Sequence, residues 1–73
     1  MNIAKIKEKI ERNKGKTVHF KFNGARNQTE EFQATIENTY NSVFIVRLEN
    51  NKNQVKSFSY NDVLTDNLEI FVE

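Results

Sequence analysis

Cysteine is absent from the sequence, which excludes disulfides, thiolate metal sites and cysteine nucleophiles. Histidine occurs once, at His19, so no zinc site can rest on two or more histidines. Proline is absent too, and glycine appears only at Gly15 and Gly24. With so few breakers, the eleven asparagines mark the turns, because asparagine tolerates left-handed backbone. The longest apolar run is interrupted by Arg47 and falls far short of the ~18 residues that span a membrane. The start of the chain lacks the apolar stretch of roughly 7–15 residues typical of a secretory signal, so a cytoplasmic location is expected. What is present is modest: 73 residues, 37% of them hydrophobic, with six phenylalanines. That supports a single domain, 1–73, with one core and little left for a deep substrate pocket.

Residues 2 to about 13 read as a helix. Ile3, Ile6 and Ile10 recur at helical spacing and form a narrow apolar stripe that must dock on something. Glu8 stands four residues before Arg12, the favoured order for a helix ion pair. Gly15 stands where a left-handed C-cap is wanted. After Gly15 the period falls to two. Val18, Phe20 and Phe22 alternate with Thr17, His19 and Lys21, and Phe32, Ala34 and Ile36 alternate with polar residues. Val43 to Leu48, Val55 to Tyr60 and Leu68 to Val72 complete five short strands, with a turn or single helical turn over 61–66. Five strands are too few for two sheets, so a small five-stranded antiparallel barrel over about 16–73 is expected. Phe20, Phe22, Phe32, Ile36, Phe44, Val46, Leu48, Phe58, Ile70 and Val72 are its expected filling. Val43, Ile45 and Phe71 fall on the opposite face, where either the helix stripe covers them or they form a subunit interface and make a homodimer possible.

Catalytic constellations are thin. His19 reads as a solvated strand residue, and Ser42, Ser57 and Ser59 lack a glycine-flanked elbow. Asp62 and Asp66 fit turn chemistry. Gly15-Lys16-Thr17 resembles the end of a phosphate loop, but the first glycine is missing and the stretch follows a helix instead of opening one. No enzyme, cofactor or metal is expected.

Charge is the informative feature. Residues 1–29 hold eight basic and two acidic side chains, a net +6, whereas residues 30–73 net −5. Lys5, Lys9 and Arg12 lie at about 140°, 180° and 120° on the helix wheel, away from a stripe centred near 270°. With Lys16, Lys21 and Arg26 they make a basic lobe suited to an anionic partner, either nucleic acid or an acidic protein surface.

The segment from Gly15 to Glu73 resembles the Veg family. The matching elements are Gly15-Lys16, Asn23-Gly24-Ala25-Arg26, Thr39-Tyr40-Asn41-Ser42-Val43-Phe44-Ile45-Val46, Ser59-Tyr60 and Asp62-Val63-Leu64-Thr65. The resemblance implies a mainly β fold with one N-terminal α-helix and a small barrel of the Sm-like or Src-homology-3-like type. It also implies a Firmicute protein without enzymatic activity that stimulates biofilm formation through transcription of matrix genes, by interfering with a repressor. The expected function is therefore a regulatory module that binds a protein partner. The alternative is a small nucleic-acid-binding barrel that uses the basic helix and first strand.

Overall fold

The computed structural model describes residues 2–24 and 28–71. The order of elements is α1 (Ile3–Arg12), β1 (Thr17–Asn23), β2 (Thr29–Thr39), β3 (Val43–Leu48), β4 (Val55–Ser59), α2 (Tyr60–Leu64) and β5 (Leu68–Phe71). Helix α1 starts where the Asn2 side chain accepts the Lys5 amide at 3.0 Å. It ends at Asn13, whose own amide group donates to the Lys9 carbonyl at 2.8 Å. Gly15 follows at φ 88°, a left-handed turn that swings the chain from the helix into β1.

All five strands belong to one antiparallel sheet in the order β4-β3-β2-β1-β5. The expected closed barrel does not form. Among the described residues β4 and β5 are two free edges, and α2 packs against both. Alternation counts strands and assigns faces, but it carries no information on whether the outer two meet. The sheet is nevertheless strongly curled. The rings of Phe22 on β1 and Phe58 on β4 lie 5.7 Å apart. Three strand steps in a flat sheet would separate them by roughly 14 Å. A register shift between Ile36 and Asn38 marks a bulge in the long strand β2, which helps bend it.

The concave face holds Phe20, Ala34, Ile36, Phe44, Val46, Leu48, Phe58 and Leu68, all buried, with Val18 beside them. Phe22, Phe32 and Ile70, expected as full core residues, are only partly buried and pack at its margin. Val72 lies outside the described residues. Helix α1 closes the curl by inserting Ile6 and Ile10, while Ile3, the first member of the stripe, stays 41% exposed. Tyr60 is the largest fully buried side chain and stacks on Phe44 with ring centroids 5.4 Å apart.

Among the described residues, strand β4 leaves its outer edge unpaired. Leu48 and Gln54 exchange a backbone bond at 3.1 Å, as do Ser42 and Tyr60 at 3.2 Å. By alternation along the ladder, the backbone N–H and C=O groups of Val55 and Ser57 then point away from β3. Between them, Lys56 turns to the concave side, over the ring of Phe32 at 5.5 Å and bonded to Glu30 at 3.3 Å.

Candidate binding surface

The convex face of the sheet is organised in cross-strand rows. His19 on β1 stands opposite Phe71 on β5 and opposite Gln33 on β2. The His19 and Phe71 rings lie 5.6 Å apart at 49°. One step along, Lys21 stands between Glu69 and Glu31. His19 Nε2 also meets Glu31 Oε1 at 3.0 Å.

These rows redistribute the basic lobe. Lys5, Lys9, Arg12 and Lys16 are all exposed. Arg12 is engaged with Glu8 at 2.8 Å on the same helix. Lys21, expected to extend the positive field, is flanked by carboxylate residues on both neighbouring strands, so its charge is locally offset. Arg26 lies outside the described residues.

Two clefts meet at Phe71, which is 50% exposed. One, of about 300 Å³, is lined by Asn13, Lys16, Thr17, Val18, His19, Gln33 and Phe71. The other, of about 230 Å³, lies between α1 and β5, with Ile6, Ile10, Leu68 and Ile70 on its walls and Lys9, Asp66 and Glu69 at its polar positions. Tyr40, at the turn between β2 and β3, is exposed as well. Phe71 was placed on the correct face, but its lysine neighbours come from α1 and the α1–β1 turn, which only the fold brings close.

The expected interface of Val43, Ile45 and Phe71 is not one patch. Val43 and Ile45 are half-buried on β3, and Phe71 stands on β5, with β2 and β1 between them. Alternation put all three on one face, but strand order then separated them. On that face Arg47 holds Glu37 with two hydrogen bonds, one at 2.9 Å, and donates to the Lys52 carbonyl at 2.6 Å. The Arg47 guanidinium keeps the Glu37 carboxyl below the usual carboxylate range.

The Thr39–Val46 and Ser59–Thr65 blocks of the sequence resemblance meet in space. Tyr60 donates its backbone N–H to the Ser42 carbonyl at 3.2 Å and its hydroxyl to the Tyr40 carbonyl at 3.0 Å. Ser59 and Asp62 cap α2 reciprocally. The Lys7 ammonium lies 6.0 Å from the centre of the Tyr60 ring. Burial pushes the Tyr60 phenol up, and the nearby charge of Glu11 adds to the shift. These blocks therefore encode a structural junction.

One curled antiparallel sheet, closed by a basic N-terminal helix and carrying its polar clefts on the outside, defines a small β-rich domain of the helix-plus-sheet class. Among the described residues, no three His, Cys, Asp or Glu side chains group as a metal set, and no helix is long and apolar enough to cross a membrane. The family model for the biofilm formation stimulator VEG matches residues 1–71, and the chain belongs to that family. The match includes α1, which the lettered resemblance from Gly15 onward did not cover. No curated protein matches the chain.

Proposed function

We propose that this chain is a non-enzymatic regulatory module in a biofilm-related role, which promotes matrix gene expression by binding a transcriptional repressor and antagonising it. Family membership supports the biofilm role. The observation that favours a protein partner is the mixture on the helical layer. Exposed Lys5, Lys9 and Arg12 share it with Ile3 at 41% and Leu64 at 39% exposure. Protein interfaces join apolar anchors to a polar rim. A duplex backbone wants an uninterrupted cationic track, and Glu8, Glu31 and Glu69 interrupt this one.

The test is co-purification of the chain with the matrix-gene repressor from nuclease-treated lysate, followed by direct titration of the two purified proteins. Nuclease-resistant binding, weakened when Ile3 and Leu64 are replaced by Asp, is the expected result. An interaction that disappears with nuclease would instead favour the nucleic-acid alternative.

A further inference from the structure

The cleft beside Phe71 is lined by no carboxylate residue, although Glu31 reaches the His19 ring at 3.0 Å from the next row. Its walls are the Phe71 ring, the His19 imidazole, the Gln33 and Asn13 amides, the Thr17 hydroxyl and the Lys16 ammonium. The geometry points to this cleft as a binding site for one nucleotide unit, an aromatic base carrying a phosphate. The unit comes either from a single strand of nucleic acid or from a free mononucleotide. This goes beyond the repressor-binding reading and does not depend on it.

The half-exposed Phe71 ring, set against His19, offers the stacking face that single-stranded segments use without regard to sequence. Gln33, two strands across in the same row, has an amide that can donate and accept at a base edge. Among the described residues, neither the Gln33 amide nor the Lys16 ammonium has a side-chain hydrogen bond or ion pair. Lys16 stands at one side of Phe71 and Lys9 lines the cleft on the other. Each of the two clefts that meet at the ring thus holds one lysine, Lys9 sharing its cleft with Asp66 and Glu69.

The C-terminal end of α1 also faces this region, and the negative end of a helix dipole would repel a phosphate. Most of that end is satisfied from within. The Lys9 carbonyl takes the Asn13 amide, the Ile10 and Glu11 carbonyls take the Asn13 and Lys14 N–H groups, and the Asn13 carbonyl takes Lys16 N–H. The cleft volume of about 300 Å³ lies at the lower end of small-molecule sites, roughly 300–1,000 Å³. That fits one unit and not a long track. The carboxylates one row further on, Glu69 and Glu31, limit the site to that length.

The experiment is a fluorescence-anisotropy titration of the full chain with short labelled oligouridine and oligothymidine, and with a mixed-sequence duplex, at low and physiological salt. A parallel arm follows the backbone amide signals of His19, Gln33 and Phe71 by NMR as uridine monophosphate is added. Single strands should bind saturably, and more tightly than the duplex. Phe71→Ala should weaken them by about 5- to 100-fold, the loss of one stacked base, and Phe71→Tyr should restore binding. Lys16→Glu should weaken binding and flatten its salt dependence, whereas Lys52→Glu should change little. Shifts of those amides by the mononucleotide identify a free nucleotide as a sufficient ligand. Ring-dependent binding of the strand alone identifies nucleic acid as the source. The inference is overturned if neither probe binds saturably. It is equally overturned if folded Phe71→Ala, verified by its circular dichroism, binds as tightly as the parent, or if base-free heparin shows the same ring dependence.

Discussion

The junction of the β2–β3 turn with α2 and the cleft beside Phe71 are built from similar materials, short polar stretches carrying one aromatic. At the junction the polar groups turn onto the chain itself. The Tyr60 hydroxyl and N–H reach two carbonyls of the turn, and Ser59 and Asp62 close on each other. At the cleft, the Lys16 and Gln33 side chains and the edge of Phe71 face solvent. The structural junction and the proposed binding cleft therefore occupy different ends of one small sheet. What separates them is that the Tyr60, Ser59 and Asp62 groups bond within the chain, while the Lys16 and Gln33 side chains stay turned to solvent.

If that division holds, Tyr60→Ala is the most damaging single change. It should cost about 3–5 kcal/mol, the range for truncating a buried aromatic, measured by chemical denaturation. An equal loss in Phe71→Ala would break the comparison. The raised Tyr60 phenol adds a pH signature, since a raised folded-state value favours the protonated form. Its contribution is fully present below the ordinary tyrosine range and is lost as pH rises through the raised value. Tyr60→Phe should remove that alkaline loss.

Gly15→Ala comes next, at about 1–2 kcal/mol. An added Cβ meets nothing within 4 Å, so the cost is backbone strain alone at φ 88°. Ser59→Ala should cost about 1 kcal/mol through the lost helix cap, while the same change at Ser57, which caps nothing, stays near zero. The Glu37–Arg47 pair is solvent-screened and smaller in effect. Because Arg47 lowers the Glu37 value, its contribution is present above the ordinary carboxylate range and is lost as pH falls through the lowered one. Denaturation midpoints of Glu37→Gln should accordingly vary less with pH in acid than those of the parent. Smallest of all, Lys16→Glu should change stability by no more than about 0.5 kcal/mol, as for ordinary surface substitutions. A larger loss would move the cleft into the structural half of the molecule.

Much of this fold was readable from periodicity. Two-residue alternation located four of the strands and the apolar run from Val43 to Leu48 the fifth, and the Ile6 and Ile10 spacing identified the docking face of α1. Ser59 read as part of a strand and Asp62 as a turn residue, although their three-residue spacing is that of a capping pair. Ala34 and Leu68 are fully buried yet were not counted as filling, because a small residue and a strand's first residue give weak patterns. The basic helix was visible, and so was the face on which Phe71 stands. The cleft was not, since Asn13, Gln33 and Phe71 are brought together by strand order and by the Gly15 turn.

The bare edge of β4 bears on how the protein behaves when crowded with copies of itself. Unpaired strand edges template further strands, and a charge turned inward on such an edge obstructs that growth. Lys56 holds this position, pinned above Phe32 between the outward backbone groups of Val55 and Ser57. A second chain stacking there would have to bury its ammonium or displace it from Glu30. An inward charge at this edge is expected to disfavour strand-by-strand assembly with further copies.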